Sequence, residues 1–528
     1  MVAAVVLFLS AGIPSRTVTA ATDSQARIIH FPVDRSLGKL MVRPMTVQEG
    51  ADGSGPWSLY TGWEFFDQAQ GEVTVPAGHQ VSLLVWHADG WWDLSPLRQL
   101  RPDDLWQLQI HGSHTGGGKP GDSCMQYVAH LTGLGVLDLD RTNVTKAGIQ
   151  HMLALKNLQH LSVPDLIDDA SMVHVAQLSG LESLVLGQDR VTNAGLKHLA
   201  RLEFLTELSL GGGRMTNDGL AYLAELPRLR RLRLWGKNFT DAGLAYLKKC
   251  RSLEYLDLRS LSQTTDAGLV HLARIPQLKD LNLHWSEGIT NSGIVPLKQL
   301  PHLRALDITH SQVTDEGLRT IAGFRFLQRL SISRSGLTIS GLKALNTLTS
   351  LTALDLDNVS QDNSGLDLSG LILLEDLMLS LKRVRVAGEM VNEPFREQDI
   401  AALGKLTGLR RLQLSHAGAT DAALRCLTGL KRLERLSIGD DDLTDEGLAS
   451  LVELPHLTSM TLSGRFTDEA LESLQKMENL TILDLRGARL SPVALNRFQR
   501  TMPRLVSFKG YEIDYAVRPR PQRRGRRR

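Results

Sequence analysis

The sequence predicts an α/β solenoid with parallel strands on the inner side, short helices outside and a small β-rich domain ahead. Three observations predict it. One short phrase, V-T-D-x-G-L-x-x-L-x-x-L-x-x-L-x-x-L-x-L, returns along most of the 528 residues. The composition is 42% hydrophobic with only 5% aromatic residues, which suits many similar thin layers better than one large irregular core. Six of the eight Trp (Trp57, Trp63, Trp86, Trp91, Trp92 and Trp106) precede residue 107, so the chain begins with a different kind of domain.

Taken from the start, Val2 to Ile13 is a largely apolar run of twelve, too short to span a bilayer, followed by Val18-Thr19-Ala20. Residues 1–20 read as an export signal; a buried N-terminal strand is the competing reading, since Arg16 is the first basic residue. No later segment is long and apolar enough to span a membrane. Residues 21–93 form the expected small β-rich domain. Ile28 to Phe31, Lys39 to Val42, Gly71 to Val75 and Val81 to Trp86 alternate or run as short strands between Gly, Pro and Asp turns. Its economical role is to cap the first coil of the repeat, with its Trp residues used in packing or, alternatively, against sugars.

The repeat occupies residues 94–515. The first Leu of each L-x-L falls at 108, 137, 161, 184, 208, 232, 256, 281, 306, 330, 354, 377, 412 and 436, then Met460, Leu483 and Phe508, about seventeen rungs. Spacings from 137 onward are 23 to 25 residues, with a single one of 35 after Leu377. Within L-x-L both Leu side chains share one face of a strand. Thr before Asp or Asn suits a helix N-cap, with the acidic side chain at the positive end of the helix dipole. The G-L-x-x-L-x-x-L that follows lays an apolar stripe on a short helix. Such a unit cannot bury its own apolar face; stacked neighbours can.

These motifs, for example Val191-Thr192-Asn193-Ala194-Gly195-Leu196 and Leu443-Thr444-Asp445-Glu446-Gly447-Leu448, resemble the leucine-rich-repeat family. The subtype is similar to bacterial exported repeat proteins and to the substrate-reading arrays of F-box receptors. The residues ahead of the repeat read as strands and not as an F-box, so a ligase role is not expected. The resemblance implies a horseshoe with a concave parallel sheet, acting as a protein-binding scaffold without catalysis. The position five after the first strand Leu, where the family keeps a buried Asn ladder, holds Thr142, Asp189, Gly213, Lys237, Ser311, Ser335, Ala417 and Asp441, so that ladder is degenerate.

The face of the sheet displays the residues at −1, +1 and +3 about each strand Leu. Most are small or acidic: Asp138, Ser209, Asp307, Ser331, Asp355 and Ser437. Between Leu232 and Leu306 the character changes. Arg231, Arg233, Trp235, Tyr255, Asp257, Arg259, Asp280, Asn282, His284, Trp285 and His310 are expected to form one patch of the type that supplies interface hot spots. Arg–Asp pairs that merely solvate the sheet are the plainer reading. A second candidate is the insertion from Ser380 to Pro394, with Lys382, Arg383 and Arg385, against a tolerated surface loop.

Residues 516–528 read as a disordered tail. Arg518, Arg520, Arg523, Arg524, Arg526, Arg527 and Arg528 bring seven charges; subtracting them from the net +2 leaves −5 for the remainder. The tail either binds a polyanion or is simply solvated. No cofactor, metal site or catalytic residue is expected. His111, His114, Cys124 and His130 lack a zinc spacing. No phosphate-binding loop, zinc-hydrolase motif or nucleophile elbow occurs. Cys250 and Cys426 lie seven rungs apart, on the order of 30 Å, so the three Cys are expected to be free thiols. The expectation is a secreted or envelope-associated monomer that binds a protein, with the tail as an alternative binder of polyanions and the N-terminal domain of glycans.

Overall fold

A computed structural model describes residues 26–44, 63–85, 92–112 and 119–513, apart from 165, 188–189, 212, 260, 334–335, 363, 387–388, 393–394, 416–417 and 503. The export signal, Trp57, Trp86, Trp91, His114, Asp189, Ser335, Ala417 and the arginine tail lie outside these residues, as do the side chains of Arg383, Arg385 and Asp441. The chain divides into two compact units, Met1–Arg231 and Leu232–Arg528.

All seventeen rung leaders fall in strands. In the first unit Leu108, Leu137, Leu161, Leu184 and Leu208 pair in succession across a parallel sheet. In the second, Leu256, Leu281, Leu306, Leu330, Leu354 and Leu377 do the same. The pairing continues through Leu412, Leu436, Met460, Leu483 and Phe508. Leu377 opposes Leu412 directly, so the 35-residue interval leaves the sheet intact. Its extra residues form an antiparallel hairpin, Arg383–Val386 with Glu389–Asn392. A paired hairpin thus stands where a surface loop was expected. Leu256, Leu258, Leu281 and Leu283 are fully buried, as strand alternation requires.

The N-terminal strands occur near their expected places, at Arg27–His30, Lys39–Pro44, Glu72–Val75 and His79–Val85. A fifth, Glu64–Gln68, pairs antiparallel with Lys39–Pro44. His79–Val85 runs parallel to Gln107–Ile110, so this sheet and the first repeat strand are continuous. The Arg43 guanidinium lies 4.7 Å from the Trp63 ring and 4.6 Å from Trp106, a buried cation between two aromatic faces. Those two Trp are therefore packing residues. All three cysteines are free, and burial pushes the Cys250 thiol up to about 11.

The helix side holds a feature that the dipole argument does not contain. Thr192 caps its helix, accepting from the Ala194 N–H. Its own N–H and hydroxyl both donate to Asp169 of the preceding rung, at 2.8 and 2.6 Å. Asp266 grips Thr290 the same way, at 2.8 and 2.6 Å, and Asp241, Asp315, Asp421 and Asp445 repeat it. Where Asn replaces Asp the polarity reverses: the Asn193 amide accepts from the Thr216 N–H and donates to its hydroxyl. Thr216 then makes no cap bond. This hook also explains the glycine of T-D-x-G-L. A Cβ on Gly195 would stand 2.5 Å from Asp169 Oδ1, and one on Gly219 would stand 2.6 Å from Asn193 Oδ1. In these rungs a methyl would crowd the carboxylate that reaches the next rung. Ala470 and Ala494 hold the same position in the last two helices, where the hooks from Asp445 and Asp468 still form.

Candidate functional site on the sheet face

On the sheet face of the second unit the residue after the first strand Leu decides how the strand ends. Asp257, Asn282 and Asp307 each use Oδ1 to accept the N–H two residues on, from Arg259, His284 and Thr309, at 3.1, 2.9 and 3.0 Å. Such Asx turns compete with the sheet ladder, and these strands stop after three residues. The chain then passes through the left-handed region at Trp285 (φ 65°) and His310 (φ 60°), uncommon for side chains of this size. Further on, the strands Arg329–Ser333, Ala353–Val359 and Asp376–Leu381 run longer. Asp355 occupies the same position as Asp307, yet makes no turn and has no hydrogen-bond or ion-pair partner among the described residues.

This geometry gathers part of the predicted patch and rearranges the rest. Asp257 is fully buried between Arg233, whose Nε lies at 2.8 Å, and Arg259, whose Nη2 lies at 2.7 Å. The Asp257 bond holds the Arg259 guanidinium above the usual arginine range. Burial raises the Tyr255 phenol, helped by the charges of Asp257 and Asp280. Asp280 is itself paired with Arg329 at 2.7 Å. Arg231 belongs to the first unit and pairs with Glu207 at 3.3 Å.

Trp285 and His310 lie four residues after their strand Leu, one beyond the face-directed positions, at the strand exits that follow the Asx turns at Asn282 and Asp307. There their rings stack at 3.8 Å and 14°. The His284 ring meets both edge-on, at 5.9 and 5.7 Å, and its Nδ1 is 3.8 Å from Asp307. Trp285 remains 47% exposed, while the half-buried Trp235 is not one of the rings in this stack.

Beside the stack lies a concavity of about 590 Å³, lined by Arg259, Asn282, His284, Asp307, Thr309 and His310 from one side. Ser333, Asp355, Asp357, Met378, Ser380 and Gln413 line the other. Sequence reasoning counted Asp307 and Asp355 as plain sheet face and passed over Asp357 and Met378. The available signal was an Asp at matching positions of nearby rungs without a basic residue beside it. Burial, and then the charges of Asp307, Asp357 and Asp376, push the Asp355 carboxyl up to about 6.

In the first unit the histidines once weighed as ligands are otherwise engaged. His111 Nε2 lies 3.0 Å from Asp138, and that bond raises its pKa. His130 Nε2 lies 3.1 Å from the Leu100 carbonyl. Among the described residues no three His, Cys, Asp or Glu are grouped to hold a metal ion, and no helix is long and apolar enough to cross a membrane.

A stack of parallel strands joined in most coils by short helical segments defines a repeat solenoid. Residues 108–344 and 242–511 match the family model described as leucine-rich repeat region, and the chain belongs to that family. Solved structures similar to it include an internalin from Listeria monocytogenes, at 22% identity over 71% of this chain and 95% of that one, TM-score 0.44. A leucine-rich-repeat protein of Leptospira interrogans matches at 20% identity over 80% and 99%, TM-score 0.45. The mouse RP105/MD-1 complex matches at 18% over 79% and 77%, TM-score 0.48. The family match, and not these distant likenesses, carries the assignment. Among curated protein sequences none matches.

Proposed function

We propose that this chain is a non-catalytic scaffold that recognises a protein on the sheet face of its second unit. One observation carries the reading: Trp285 stays half exposed while its ring is fixed by the His310 stack and its backbone by a left-handed turn. A large aromatic that is both open and immobile loses little entropy on contact, which is what interface hot spots require. The Arg233–Asp257–Arg259 trio beside it supplies a rigid polar rim. Leucine-rich-repeat proteins typically serve as protein-binding scaffolds, which supports the reading. In this proposal the protein is an exported monomer.

The test is affinity capture from the envelope fraction with the intact chain and with Trp285→Ala combined with Trp235→Ala. The double variant is expected to lose its partner and keep the melting profile of the array. Unchanged capture removes this face from consideration. The seven tail arginines favour a second activity, binding of a polyanion. It predicts an affinity that falls steeply with salt and disappears when residues 517–528 are deleted.

A further inference from the structure

The concavity on the second unit carries more carboxylates than cations: Asp307, Asp355 and Asp357 line it against the guanidinium of Arg259. Thr309 and Ser333 line it, are only 8% and 7% exposed, and their hydroxyls have no partner among the described residues. Neither oxygen is sealed from solvent, so a ligand that enters the concavity must replace water as their hydrogen-bond partner. Asp355 is equally unpartnered on the next rung. Asp307 gives one oxygen to a backbone N–H and faces His284 with the other, and Asp357 accepts from the Ser380 hydroxyl. Arg259, the guanidinium in the lining, is already committed to Asp257. The acceptors are spread over three successive strands. They are not grouped as metal ligands, so a bare ion does not satisfy them.

We propose that this concavity receives an arginine side chain from an extended segment of the protein partner, its guanidinium held by Asp307, Asp355 and the Thr309 and Ser333 hydroxyls. The proposal rests on protein recognition by this face and names its chemistry. A guanidinium presents five N–H donors in one plane, which matches acceptors distributed across neighbouring strands better than the compact ammonium of lysine does. Its flat, weakly hydrated surface also suits a site with the His310 ring, stacked on Trp285, in its wall. A neutral ligand would leave Asp355 uncompensated, and an anion would be repelled.

The experiment titrates the full chain with a blocked Gly/Ser heptapeptide carrying one central arginine, following tryptophan fluorescence and heat. The same peptide with citrulline keeps the shape and loses the charge; one with lysine keeps the charge and loses the fork. The arginine peptide is expected to bind, the lysine peptide more weakly, and the citrulline peptide at least about tenfold more weakly. Asp355→Asn should weaken the arginine peptide by a similar factor, and added salt should weaken it further. A parallel titration uses a chain whose seven tail arginines are replaced by Gln, so that self-occupancy cannot mask the site. Equal affinity for arginine and citrulline peptides, indifference to Asp355→Asn, or no binding by either chain overturns the proposal. If capture of the partner protein is lost in the Trp double variant but kept in Asp355→Asn with Asp357→Asn, recognition by this face stands and the arginine assignment alone falls.

Discussion

Aspartates on the two sides of a single coil meet opposite fates. On the helix side, where Asp follows the capping Thr, the next rung supplies its donors, as the N–H and hydroxyl of Thr290 do for Asp266. On the sheet side Asp355 faces Asp307 and Asp357 with no donor of its own. The chemistry of the side chain is identical, so what separates a structural Asp from a recognition Asp is whether the repeat supplies its donor. In a periodic molecule, a group the period leaves unpaired is where something from outside is expected.

Five substitutions break or sharpen this contrast. Leu256→Ala removes a fully buried strand Leu that serves both sides and should cost about 2–5 kcal/mol, read from denaturant unfolding. A loss too small to measure would mean that the rung is not packed as described.

Asp355→Asn should act in the opposite direction. Its carboxyl titrates near 6 in the folded chain and near 4 when unfolded, so the folded state holds the proton more tightly. The stabilising contribution is complete below about pH 4 and is lost as pH rises through about 6. At pH 7.5 the variant, free of that buried charge, should gain up to about 3 kcal/mol, and its stability should no longer fall between pH 4 and 6. Equal pH profiles for both proteins would show that Asp355 is not under this strain.

Asp266→Ala leaves the Thr290 N–H without its acceptor and should cost about 1–3 kcal/mol. Gly293→Ala should cost a comparable amount, because its new methyl meets the same carboxylate. Combined, the two should cost less than their sum by about 1 kcal/mol; strict additivity would refute the hook as the reason for the glycine. Neither should alter arginine-peptide binding. Smallest of all, Trp285→Ala should shift stability by no more than about 0.5 kcal/mol, since the ring is half exposed. A large loss would make the stack a structural brace.

The strand register was readable to the residue because each L-x-L must place two side chains inside, and a slip of one would invert them. Thr192 and Thr290 were readable as caps for an equally local reason. The Asp–Thr hook was not, although both residues stand in the repeated phrase, because the bond joins one copy to the next. The identity of Gly195 was likewise set by an atom 26 residues upstream. At the site, the residue types around Trp285 were legible, but their placement depended on Asx turns at Asn282 and Asp307 that shorten two strands. Asp355 could be seen in the sequence, while its isolation could not, since that depends on which neighbours lack a basic group. Glu64–Gln68 shows no clean alternation and gave no strand signal.

The hook has one more consequence, for how such an array changes over generations. Many coils offer an oxygen pair forward and a Thr backward, so such a coil duplicated or excised in frame would meet a matching neighbour. Partial insertions must leave the ladder sideways, as the hairpin between Leu377 and Leu412 does. Length can therefore change in units of one coil, while residues inserted within a coil stay outside the strand ladder, as that hairpin does.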